Sequence, residues 1–168
     1  EDDGNPIITT EVQDAFCAGL AQNRSIEVFI SNSIDYTSGR IKNMGPFFSH
    51  NANLVEIKLN GCAMDPGDIR LLTEVIKERG KNVKTIRSFT YSSAEVSPSQ
   101  ISALMDLSKT CTHLESLRLT RFRTSSDLSS CQAIATFLMS KKCMLKTLNL
   151  HKNPINDAGC RIITESLR

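Results

Sequence analysis

The chain has 168 residues, 40% of them apolar and 23% charged, which is enough for a single domain over 1–168 with a sizeable core. Its 20 basic and 18 acidic residues leave a formal charge of +2, so there is no general case for nucleic-acid binding. No stretch approaches the roughly 18 uninterrupted apolar residues of a membrane span.

The opening EDDGNP is polar and acidic, unlike a signal peptide, and residues 1–4 read as a linker. Thr10 and Gln13 have the spacing of a capping box, leading into a helix that carries Phe16 and Leu20. A first strand follows at 26–30 (IEVFI). Gly45 and Pro46 interrupt the pattern after Met44, so only a short or irregular helix is expected there. The second strand is at 54–59 (LVEIKL). Asp65 then caps a helix with Pro66 in its first turn and Ile69, Leu72 and Ile76 on one face. After a third strand at 83–86 (VKTI), Ser97 and Gln100 form a capping box ahead of Ile101, Leu104 and Leu107. The fourth strand is at 114–119 (LESLRL), and Asp127 is placed to cap a helix carrying Ile134, Phe137 and Leu138. The fifth strand, at 145–150 (LKTLNL), precedes a helix with Gly159, Ile163 and Leu167.

The strand starts at 26, 54, 83, 114 and 145 are separated by 28, 29, 31 and 31 residues. A fixed period of this size is the mark of stacked units, none of which can bury its apolar face alone. Each unit reads as a strand followed by a returning helix, which gives a parallel sheet with strands about 4.8 Å apart. Helices are roughly 10 Å across, so the stack must curve with its strands on the inside.

The last unit, with Leu145, Leu148, Leu150, Asn153 and Ile155, resembles the leucine-rich repeat pattern LxxLxLxxNxL. The period resembles that of the long, ribonuclease-inhibitor-like subclass found in cytosolic proteins. The resemblance runs from about Asn5 to Arg168. It implies an α/β solenoid, a right-handed horseshoe with about five parallel concave strands and outer helices. It also implies that the asparagine at position 153 bonds backbone groups in the turn after the strand. The corresponding residues of the other units are Asn5, Ile34, Cys62, Tyr91 and Phe122, and cysteine is a known substitute in such repeats. Ser31 and Ser88 stand where Leu59, Leu119 and Leu150 stand elsewhere, so the second and fourth units are degenerate. Asn5 falls partway through a unit and Leu167 and Arg168 end a helix, so the chain is expected to be a piece of a longer one.

Chemistry is sparse. The six cysteines, at 17, 62, 111, 131, 143 and 160, include no CxxC pair, and Cys17, Cys131 and Cys160 lie in helical patterns. Free thiols and a cytoplasmic location are therefore expected ahead of disulfides or metal. Asn23, Arg24 and Ser25 match a glycosylation sequon, a triplet that arises often by chance. His50, His113 and His151 occupy unrelated offsets and do not read as a metal set. No nucleophile-elbow, Walker A or dinucleotide-binding string is present. No enzymatic activity and no cofactor are expected.

The informative surface is the concave face. One outward column reads Glu27, Val55, Lys84, Glu115 and Lys146; another reads Ile30, Lys58, Arg87, Arg118 and Asn149. Arg121, His151 and Lys152 lie just past the strands. The candidate partner-binding residues are therefore Lys58, Arg87, Arg118, Arg121, Lys146, His151 and Lys152. Three stacked cations at strand spacing favour a partner carboxylate or phosphate. The alternative is a solvated face on which Glu56 and Glu115 balance the charge. Val28, Ile30 and Val55 form a possible apolar contact at the other end.

The expected function is a non-catalytic protein–protein interaction module. In size and in its alternation of regular with degenerate units the chain resembles the tropomodulin repeat domain, which implies actin binding as one alternative. Resemblance to Ran GTPase-activating protein implies a GTPase-regulating domain as another, and NOD-like receptors carry such repeats as sensing ends. Binding of nucleic acid or phosphoinositide through Lys58, Arg87 and Arg118 is a third, and it requires steep salt dependence.

Overall fold

A computed structural model of the chain describes residues 10–37, 39–79, 85–93, 96–121 and 128–167. Strands β1 (Val28–Asn32), β2 (Glu56–Asn60), β3 (Ser88–Ser92), β4 (Ser116–Thr120) and β5 (Thr147–Asn149) form one parallel sheet in chain order. Parallel neighbours need a crossover, and each crossover here contains a helix. The helices are α1 (Thr10–Gln22), α2 (Gly45–His50), α3 (Pro66–Lys77), α4 (Pro98–Thr110), α5 (Ser129–Leu138) and α6 (Asp157–Glu165). Each packs on the next, so the helices form a row in the same order as the strands.

Local chemistry sets the helix starts. The Asp65 carboxylate accepts from the Asp68 amide at 2.9 Å, and the Asp68 carboxylate accepts from the Asp65 amide at 2.9 Å. Ser97 and Gln100 reciprocate in the same way at the head of α4. At α6 it is Asn156 that caps, accepting from the Gly159 amide at 2.8 Å. Asp127, expected to cap α5, lies outside the described residues. In the second unit the helix is reduced to a 3-10 turn, Arg40–Met44, followed by the short α2. Pro46 sits in the first turn of α2, so it starts that helix as well as ending the pattern before it.

The strand faces divide cleanly. Inward residues Phe29, Ile57, Leu59, Phe89, Tyr91, Leu117 and Leu119 join Leu54, Ile86 and Leu114 in one core with the inner faces of the helices. Ser31 holds one of these inward slots although it is polar. It accepts from the Tyr36 hydroxyl at 2.8 Å and from the Cys62 thiol at 3.6 Å, which satisfies its buried oxygen. The edge strand β5 is less covered, so Leu145, Leu148 and Leu150 are only half-buried. Phe16, expected to face inward from α1, is exposed, and Cys17 is buried in its place.

The fourth unit, that of β3, departs from the sequence reading. Phe89 pairs in register with Ile57 and Leu117, and Tyr91 with Leu59 and Leu119. The strand motif is therefore Ile86, Phe89 and Tyr91, and the starts run 26, 54, 86, 114 and 145, at intervals of 28, 32, 28 and 31. Ser88 is an outward residue, and Tyr91 takes the inward slot assigned to Ser88. The position equivalent to Asn153 moves from Tyr91 to residue 94, which lies outside the described residues, as do Asn5 and Phe122. Leucine-only matching favoured 83–86 because its aliphatic side chains look like the motif, whereas aromatic rings fill the actual slots.

The turns from helix to strand are cross-linked by asparagines. Asn51 is fully buried; its Oδ1 accepts from the Asn53 and Leu54 amides at 3.0 Å, and its Nδ2 donates to the Asn23 carbonyl at 3.2 Å. The Asn23 side chain in turn accepts from the Ser25 and Ile26 amides at 2.9 Å, so the sequon asparagine is a turn former. Asn51→Ala should cost about 2–3 kcal/mol in urea denaturation, because it leaves buried backbone groups without partners.

No disulfide joins the six cysteines; Cys17, Cys62, Cys111 and Cys131 are buried, and Cys160 is exposed. Among the described residues no helix is long and apolar enough to cross a membrane.

Candidate binding surface on the sheet

The face of the sheet opposite the helices carries the outward side chains. Register fixes its rows across β1 to β5. One reads Val28, Glu56, Ser88, Ser116 and Thr147; the next reads Ile30, Lys58, Thr90, Arg118 and Asn149. Thr90, not Arg87, therefore stands between Lys58 and Arg118, and the continuous column of three cations does not exist. Arg87 precedes β3. Its amide donates to the Val55 carbonyl at 2.8 Å, and its carbonyl accepts from the Glu115 amide at 2.8 Å. That places it in the row of Glu27, Val55, Glu115 and Lys146, where Lys84 had been expected; Lys84 lies outside the described residues.

Two more candidate cations are neutralised in place. The Lys58 ammonium lies 3.1 Å from Glu56, whose carboxylate also accepts from the Ser88 hydroxyl at 2.9 Å. Lys146 lies 3.0 Å from Glu115 and, by hydrogen bond and charge, holds that carboxyl below the usual carboxylate range, with Arg87 contributing more weakly. The balanced-face alternative thus describes this part of the surface.

The remaining four candidates come together. Arg118, Arg121, His151 and Lys152 line the β4–β5 end of a shallow depression of about 440 Å³ that runs across the C-terminal ends of the strands, with Asn32, Ser33, Asn60, Gly61 and Ser92 along the rest of it. Arg118 is beside Asn149 in the ladder, and continuing that register brings Thr120 beside His151 and Arg121 beside Lys152. Among the described residues no carboxylate lies within salt-bridge distance of any of the four. The depression is a corner of unneutralised positive charge floored by neutral amides and hydroxyls. The Asn60 amide donates to Asn32 at 3.0 Å, and the Ser92 hydroxyl accepts from the Gly61 amide at 3.1 Å.

The backbone of this rim is unusual. Ser33, Gly61, Arg121 and Lys152 each sit two residues past the last inward strand position of their unit, with φ of 57°, 64°, 65° and 60°. Glycine adopts this left-handed conformation freely and other residues at a cost on the order of 1 kcal/mol; the equivalent Ser93 after β3 does not adopt it. Sequence reasoning placed Arg121 and Lys152 at the rim but had no signal for this conformation, since neither residue type announces it.

Beyond the turn, Asn153 donates to the carbonyls of Leu119 and Leu150, both at 2.7 Å, tying the last two strands together. Cys62 stands at the same offset in its own unit, and its thiol donates to the Ser31 carbonyl at 3.5 Å. At the opposite end of the face, Val28 is 43% and Ile30 is 52% exposed. Among the described residues no group of three or more histidine, cysteine, aspartate or glutamate side chains is arranged to hold a metal ion. No protein-family model and no curated protein matches the chain.

Proposed function

We propose that the chain is a leucine-rich repeat solenoid of the long, ribonuclease-inhibitor-like subclass, working as a non-catalytic module that binds a protein partner on the open face of its sheet. The repeat reading is supported by the ordered parallel strands with a helix in every crossover. It is also supported by Asn153 and by Cys62, which bond strand carbonyls of the preceding unit from one repeat position. The single observation that carries the binding reading is the corner of Arg118, Arg121, His151 and Lys152. The uncompensated charges of Arg118, Arg121 and Lys152 on one side of the sheet create a field that attracts and orients an acidic surface. Elsewhere, Lys77 is paired with Glu74 at 2.6 Å and Lys109 with Asp106 at 3.1 Å.

The test is charge reversal at matched stability. Arg118→Glu should strongly reduce retention of partner proteins from cell lysate, whereas Lys77→Glu on the helical side should leave retention near the wild-type level. Both positions are exposed, so melting temperatures should stay close to wild type. Equal retention by the two variants would remove the open face as the binding surface.

A further inference from the structure

Charge and polarity on the open face are not spread evenly. The exposed apolar side chains Val28 and Ile30 belong to β1 at one edge. The centre is neutral, built from Thr90, Ser92, Asn60 and Ser116, with Lys58 held by Glu56. Arg118, Arg121 and Lys152, with no carboxylate within salt-bridge distance among the described residues, gather at the far corner, while Arg87 stands exposed in the row of Glu27 and Glu115. Along the row Ile30, Lys58, Thr90 and Arg118 the two ends are three strand spacings apart, or about 14 Å. An extended chain covers that span in about four to five residues.

The rim adds an independent observation. The turns after β1, β2, β4 and β5 each carry a left-handed residue, Ser33, Gly61, Arg121 and Lys152, and Gly61 shows that glycine is accommodated there. At the two turns beside the corner the chain instead carries long cations in the strained conformation, Arg121 and Lys152. Local rules broken in this way gather at functional positions, because the fold gains nothing from them. The stability forgone at these turns is matched by what the side chains place around the depression.

We propose that this corner is the carboxylate end of a groove for a short acidic peptide segment that lies across the strands. An apolar side chain of the segment rests on Ile30 and Val28, and its Asp or Glu carboxylates, about four to five residues away, are bound by Arg118, Arg121, His151 and Lys152. This deepens the binding function proposed above and rests on it. A nucleic acid fits the surface less well. Its phosphates would need cations along the whole path, whereas Glu27, Glu56 and Glu115 lie along the rest of the face.

The experiment is selection of binders to the purified chain from a displayed library of random peptides. Affinities of the enriched peptides are then measured by fluorescence polarisation for wild type, the Arg121→Gly/Lys152→Gly double variant and Ile30→Asp, with an oligothymidylate as competitor. Enriched sequences should pair an acidic cluster with an apolar residue at the stated spacing. The double variant should bind them roughly tenfold or more weakly while melting at or above the wild-type temperature, since glycine relieves the strained turns. Unchanged affinity in the double variant, enrichment without acidic residues, or displacement by the oligothymidylate at lower concentration than by free peptide would overturn the proposal. A fall in melting temperature would also do so, by showing that the two cations serve the fold. If Ile30→Asp weakens binding and the double variant does not, the open face binds but the corner is not its anion site. If neither variant has an effect, the open-face reading fails with it.

Discussion

Phe89→Ala is expected to destabilise the protein by about 3–5 kcal/mol, the range for emptying a fully enclosed aromatic site. Phe89 has no exposed surface and lies between Ile57 and Leu117 in the middle strand of the sheet. A cavity there has little room to collapse, because both flanking strands are fixed by parallel ladders and α4 is packed between α3 and α5. Ser88→Ala is the control. It removes only the hydroxyl bonded to Glu56 on the solvent side and should cost no more than about 1 kcal/mol. Denaturant melts of the two variants read the register directly. Were the strand motif at 83–86, position 88 would face the core, position 89 would face solvent, and the order of the two costs would reverse.

This residue also marks how far the sequence could be read. The units of β2 and β5 have aliphatic residues at every inward slot, and there the period alone locates the strands: 57 and 59 face inward as the LxxLxL spacing requires. The unit of β3 fails because burial selects volume and shape, not leucine, and Phe89 and Tyr91 satisfy the same slots as Leu117 and Leu119. Counting from the wrong start displaced the motif by three residues and so put Arg87 into the wrong row. Capping boxes were legible at Asp65 and Ser97 because their chemistry is local, confined to four consecutive residues. The corner of Arg118, Arg121, His151 and Lys152 was legible as a set for the opposite reason: Arg121 and Lys152 share a repeat offset, and all four lie near the strand ends of two adjacent units whose spacing was read correctly. What no pattern exposed was which cations are free. Lys58 and Lys146 look like Arg118 in the sequence; Glu56 meets Lys58 from two residues earlier on β2, and Glu115 meets Lys146 across the strands.

Arg79 is a second residue whose role appears only in three dimensions. It follows α3, where a cation reads as a solvated helix end. Its guanidinium instead reaches back to the preceding unit, donating from Nη1 to the Phe48 carbonyl at 2.6 Å and from Nη2 to the Leu54 carbonyl at 3.0 Å. These carbonyls bracket the turn from α2 to β2, the same turn that Asn51 fixes from within. Partial burial disfavours the charged guanidinium, and the neighbouring Cys111 thiol, itself pushed up to about 12 by desolvation, is neutral at ordinary pH. The hydrogen bonds must offset that desolvation. Arg79→Ala should therefore cost about 2–4 kcal/mol, from two charge-assisted bonds reduced by the partial exposure of the site. Arg79→Lys should recover less than half of this loss, because one ammonium cannot reproduce a planar fork spanning two carbonyls. Salt separates this account from an ion pair: the acceptors are neutral, so the penalty should be nearly the same in low and high sodium chloride. A penalty that shrinks with added salt, or full rescue by lysine, would mean that charge rather than the fork holds the turn.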